Sequence, residues 1–86
     1  MKMQKKPPQY SKQAVKFLNK QDISTKLRIK ISIEKMPAGD IISYKANKKY
    51  FRLRIGDYRI LFNWVTDEQI FVAVIDGRGQ VYKKGV

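Results

Sequence analysis

The tract YFRLRIGDYRILFNW, residues 50–64, constrains the fold of this chain more than any other segment. Gly56-Asp57 separates two runs in which apolar and polar residues alternate. Glycine at the first central position of a two-residue loop suits a type II′ turn, whose twist matches that of the strands it joins. Such a turn pairs 55 with 58, 54 with 59, 53 with 60, 52 with 61, 51 with 62 and 50 with 63. One face of the hairpin then carries Phe51, Leu53, Ile55, Tyr58, Ile60 and Phe62, and the other Tyr50, Arg52, Arg54, Arg59, Leu61 and Asn63. A continuous apolar face needs a second layer to cover it.

That layer is expected from the N-terminal third. Ser11 is a candidate N-cap for a helix to about Lys20, with Ala14, Val15 and Leu18 as its apolar stripe and Phe17 widening it. The segment STKLRIKISIEKMP admits two readings. Leu27, Ile29, Ile31 and Ile33 alternate as in a strand. Wound as a helix, Ile23, Leu27 and Ile31 fall on one face and Ile29, Ile33 and Met36 on the opposite one, so both sides would call for burial. Ser24 or Thr25 as a cap, the length before Pro37 and the absence of Gly favour the helix.

Pro37-Ala38-Gly39-Asp40 reads as a turn, Ile41–Lys45 as a short strand and Thr66-Asp67-Glu68 as another turn. Gln69–Ile75 is a strongly apolar strand, ended by Asp76-Gly77-Arg78-Gly79. Val81 and Tyr82 leave room for a short extended piece. Met1–Gln9 reads as a basic tail or a weak edge strand, because Pro7 and Pro8 cannot donate to a ladder. Two helices followed by an antiparallel sheet make an α+β domain with both helices on one face.

The chain has 86 residues, so a single domain spanning 1–86 is expected. It contains no Cys and no His, which removes thiol nucleophiles, thiolate metal sites, zinc triads and the usual general base. Seven scattered carboxylates, mostly at turns, are a poor basis for metal catalysis, and no cofactor is expected. No stretch is long and apolar enough to span a bilayer, and MKMQKKPPQYSKQ lacks the apolar core of a signal peptide, so a cytoplasmic location is expected. Nineteen Lys and Arg against seven Asp and Glu give a net charge of +12, concentrated in residues 1–36, which carry ten basic and two acidic side chains. Such an excess points to RNA, DNA, a ribosome or an acidic protein as partner.

The hairpin sharpens this. Arg54 and Arg59 face each other across the ladder, and Arg52 lies two positions along. Like charges so placed cost a few tenths to about 1 kcal/mol. With no carboxylate expected on the neighbouring strand positions, three guanidiniums on one face make a site for phosphate and for the extra negative charge of its transition state, although single arginines on such faces are commonly only solvated. Asp76 could return beside Arg59. Arg78 follows a Gly at the end of a strand, where functional side chains are often mounted. Tyr82 is either a packing aromatic or, near the arginines, a phenol of lowered pKa able to accept a proton. Trp64 and Phe71 read as core.

The segments KQAVKFLNK, RIKISIEKMPAGD, YFRLRIGDYRILF and VAVIDGRGQVY, in that order, resemble the RelE/ParE superfamily of bacterial toxin–antitoxin toxins over about residues 10–84. The resemblance implies a RelE-like fold: two N-terminal helices packed on one face of a curved antiparallel β-sheet with a basic concave side. RelE-like members cut mRNA in the ribosomal A site without metal, the 2′-hydroxyl attacking the adjacent phosphate and a 5′-hydroxyl leaving. By motif position Arg52, Arg54 and Arg59 would hold the phosphate, Arg78 would act as acid or transition-state stabiliser, and Tyr82 would be the base.

Lys45, Lys48, Lys49, Lys83 and Lys84 are expected to add RNA contacts. Many relatives carry a His immediately before the arginine matching Arg78, where this chain has Gly77. The partners implied are the ribosome, mRNA and a cognate acidic antitoxin. The alternatives are a ParE-like, non-enzymatic inhibitor of DNA gyrase and an inactive nucleic-acid-binding relative. Presence of all five arginine and tyrosine residues favours the RNA-cleaving branch.

Overall fold

The computed structural model describes residues 2–36, 38–45 and 49–77. Along the chain run β1 (Gln9–Tyr10), α1 (Lys12–Asn19), α2 (Ile23–Glu34), β2 (Asp40–Ser43), β3 (Phe51–Ile55), β4 (Tyr58–Thr66) and β5 (Gln69–Gly77). The strands form one sheet in the order β1-β5-β4-β3-β2. β2 to β5 are antiparallel neighbours. β1 lies parallel to β5, with Gln9 opposite Phe71 and Tyr10 opposite Val72. The fold is α+β as expected, but the sheet is mixed rather than wholly antiparallel. The two residues of β1 are too few for a periodic signal, and their pairing is set by a strand some sixty residues away.

The β3–β4 hairpin has the register read from its turn, from Phe51↔Phe62 to Ile55↔Tyr58. Gly56 has φ +55°, and no non-glycine described residue has positive φ, the combination a type II′ turn requires. Leu53, Ile55, Ile60 and Phe62 are buried together with Ile70, Val72 and Ile75 of β5. Between β4 and β5, Leu61 faces Val74 while Phe62 faces Val72, leaving Ala73 as an extra residue, a bulge.

Both helices pack on this core. α1 contributes Ala14, Phe17 and Leu18. Val15, expected in the stripe, is 44% exposed instead. α2 is a helix, capped by Asp22 rather than by Ser24 or Thr25. The Thr25 N–H donates to Asp22 Oδ1 at 3.2 Å and the Ser24 hydroxyl to Oδ2 at 3.3 Å. Hydrogen bonds from Thr25 above all hold the Asp22 carboxyl below its ordinary value. The helix resolves its two apolar faces by burying one. Ile29, Ile33 and Met36 join the core, while Ile23, Leu27 and Ile31 remain open to solvent.

The free edge of β5 beyond β1 is closed by α1 itself. The Ser11 N–H donates to Val72 O at 2.9 Å and its hydroxyl to Ala73 O at 2.6 Å. Gln13 then imitates a strand: its Nε2 donates to Ile75 O at 2.8 Å and its Oε1 accepts from Ile75 N at 2.9 Å. Ser11 also caps α1, accepting from Ala14 N at 3.1 Å. Ser11→Ala removes both roles, and a cap worth about 1 kcal/mol plus a hydrogen bond of similar worth predicts a loss of about 2 kcal/mol. Urea denaturation should show a lower midpoint with an unchanged m-value.

The N-terminal segment is tied down rather than loose. Met3 N donates to Asp67 O, and Lys5 N and Lys6 N to Glu68 O, at 2.9–3.1 Å. Gln4 Nε2 bridges Ile33 O and Met36 O at the end of α2, at 2.7 and 3.0 Å. Among the described residues, no helix is long and apolar enough to cross a membrane.

Candidate phosphate-binding face

Alternation along β3 and β4 sends Leu53, Ile55 and Ile60 into the core and so turns Arg52, Arg54 and Arg59 to the sheet face away from the helices. Arg54 and Arg59 are direct cross-strand partners. The three do not converge on one cavity. Arg52 and Arg59 line a depression of about 250 Å³ with Tyr44, Leu61, Val74 and Asp76. Arg54 borders a separate depression of about 210 Å³, beside Ser32 and Lys35 of α2 and its C-terminal flank.

Of the two sequence readings for Arg59, no neighbouring carboxylate or Asp76 returning beside it, the structure bears out the second. Arg59 pairs in register with Asp76, and its Nη2 donates to Asp76 Oδ2 at 3.0 Å. Arg54 lies opposite Asp40 in the β2–β3 register. The β5 bulge and the long β2–β3 connection set both registers, and neither carries a tight-turn signal. The Arg59–Asp76 pair is about half exposed on both sides, 56% and 49%, so it contributes at most about 1 kcal/mol. A phosphate can displace it at small cost.

Arg52 differs. It is half-buried, and its Nε is a buried donor without a hydrogen-bond partner among the described residues. An unpaired buried donor costs about 1–3 kcal/mol, so an acceptor entering the depression would recover that energy. Leu61 and Val74 give the depression an apolar wall beside its charges.

Tyr44 and Val74 went unnoticed in the sequence. Tyr44 stands two positions beyond Ile42, the cross-strand partner of Arg52, so alternation would have placed it on this face once the β2 register was known. Phe71 is not core: it faces Asn63 across the ladder and is half-buried outside the core cluster, whereas Trp64 packs against that cluster. Lys45 and Lys49 are exposed in the β2–β3 connection. Lys48, Arg78, Tyr82, Lys83 and Lys84 lie outside the described residues. Among the other phenols, Tyr10 is unsuited to accept a proton, because burial and then the Glu34 carboxylate push its pKa above the ordinary value.

Neither the protein-family models nor the curated proteins yield a match to the sequence. Solved structures do. A chain of the RelB–RelE antitoxin–toxin complex from Methanococcus jannaschii is similar with a TM-score of 0.67 and 26% identity, covering 88% of this chain and 96% of that one. The chain has a RelE-like fold. A chain of the RelBE2 toxin–antitoxin complex from Mycobacterium tuberculosis shares the fold with a TM-score of 0.59 and 18% identity, covering 83% of this chain and 95% of that one.

One departure of this RelE-like chain now has a physical reason. A Cβ at Gly77 would lie 3.0 Å from Phe17 Cζ and 3.1 Å from Tyr58 Cε1, rings that meet edge-to-face at 5.9 Å. The aromatic pair crowds this position, so a side chain here would require the Phe17 and Tyr58 rings to give by a few tenths of an ångström.

Proposed function

We propose that this RelE-like chain is a toxin that arrests translation by cutting mRNA held on the ribosome, and that an acidic antitoxin neutralises it. The observation that carries the reading is the depression between Arg52 and Arg59, with a buried, unpartnered Arg52 Nε and an apolar wall. A phosphodiester bound there would meet forked donors of fixed charge, and the added negative charge of the pentacoordinate transition state would strengthen those contacts. In the proposed reaction the 2′-oxygen bonds to phosphorus and the bond from phosphorus to the 5′-oxygen breaks. The 2′-hydroxyl proton passes to Tyr82 as phenolate, a form that guanidiniums brought beside it would favour. Arg78 stabilises the charge as the departing 5′-oxygen takes a proton from solvent water. Holding the message on the ribosome would supply much of the alignment, so free RNA should be a poor substrate.

The antitoxin part of the proposal has separate support. Both similar structures are antitoxin–toxin complexes, and a chain of net charge +12 suits a disordered acidic segment that folds as it wraps around the domain. Induced expression followed by pulse labelling tests the reading. Amino-acid incorporation should fall first, with breaks in ribosome-bound messages ending in a cyclic phosphate. DNA-damage signalling ahead of any loss of translation would replace this reading with gyrase inhibition, and unimpaired growth would leave a nucleic-acid-binding relative.

A further inference from the structure

Ile23, Leu27 and Ile31 follow one another at four-residue spacing, so they form a single row along the outer side of α2. They are 78, 53 and 49% exposed. Helix formation does not explain them: β-branched residues lose rotamer freedom in a helix, and alanine, lysine or glutamate would serve better at solvated positions. Helical spacing places cations on both borders of the row, Lys26 and Lys30 on one and Arg28 and Lys35 on the other. Lys26 is steadied by donating to Asn19 Oδ1 at 3.2 Å, and the Arg28 guanidinium lies against Gly56 of the β3–β4 turn. The Lys5–Glu68 and Arg59–Asp76 ion pairs involve none of these four.

We propose that this row is the docking strip for an acidic amphipathic helix of a partner protein. The inference rests on the reading above that an acidic protein binds this chain, and it adds where one helix of that partner sits. A ridge at i, i+4 and i+8 packs into the groove of a second helix that presents apolar residues every three or four positions. Cations on both borders select Asp and Glu beside those residues. A second copy of this chain would bring like cations to the same borders, at +12 per copy, and is repelled. Three aliphatic side chains with no aromatic among them are too small an anchor for a lipid surface, where even one myristoyl chain binds only marginally.

The test uses the full chain and a labelled synthetic peptide of about 18 residues, leucine on one helical face and glutamate elsewhere. Anisotropy should show Leu27→Glu/Ile31→Glu binding at least about tenfold more weakly than wild type, with Val65→Glu, another exposed apolar site, unchanged. Lys30→Glu/Lys35→Glu should weaken binding and flatten its salt dependence. Peptide-induced slowing of amide exchange should concentrate in α2. Equal peptide affinity for wild type and Leu27→Glu/Ile31→Glu would overturn the proposal. So would slowing confined to the arginine face, a wild-type dimer lost in that variant, or sedimentation with phosphatidylglycerol vesicles lost in it. Failure of wild type to arrest translation would remove the functional reading while leaving the peptide result to stand alone.

Discussion

Arg52→Ala is expected to slow ribosome-dependent mRNA cleavage by about two to three orders of magnitude with the fold intact, the usual loss when one preorganised charge-stabilising donor is removed. Arg52 is singled out because its Nε is buried and unpartnered, so no competing carboxylate has to be displaced from it. Arg54→Ala, bordering the other depression, should cost less than about tenfold. Lysine at position 52 keeps the charge but loses the fork, so Arg52→Lys should restore only part of the rate. Tyr82→Phe should slow the same step by about 10²–10⁴ if its phenol is the proton acceptor. Single-turnover cleavage on ribosomes programmed with a defined message measures all four. Wild-type rates in Arg52→Ala and Tyr82→Phe together would remove the proposed mechanism.

Phe62→Ala should come close to unfolding the domain. Phe62 is the largest fully buried side chain among the described residues, 1% exposed, at the centre of β4 with the Phe51 ring 5.8 Å away. Phenylalanine-to-alanine changes in such positions cost about 3–5 kcal/mol. Small domains hold only about 5–15 kcal/mol in total. At about 4–8 °C per kcal/mol for a chain of this size, the melting temperature should drop by tens of degrees. Ile31→Ala, on the open side of α2, should stay within about 0.5 kcal/mol. Urea and thermal denaturation of the two variants give the comparison.

The parts legible in the sequence were those coded locally. Gly56-Asp57 set the hairpin register and so the side of every residue in β3 and β4. Ser11 announced α1 at the correct residue. What stayed hidden was set by distant partners. β1 has no signature of its own and exists through Phe71 and Val72. The choice between the two apolar faces of α2 depended on which one met the sheet. Asp76 beside Arg59 was one option in the sequence, and a bulge at Ala73 sets the register that selects it; Phe71 was read as core from its apolar neighbours, although alternation with Ile70 and Val72 turns it outward.

The clasp of Ser11 and Gln13 on β5 also dictates when the domain can exist during synthesis. Each of its side-chain hydrogen bonds joins residues 62 positions apart. β1 and α1 leave the exit tunnel early but have no edge to grip until β5 follows. An eight-residue helix alone is too short to persist in water. The nascent polypeptide therefore stays unassembled, its arginines unpresented, while nearly all of the described fold is still being translated.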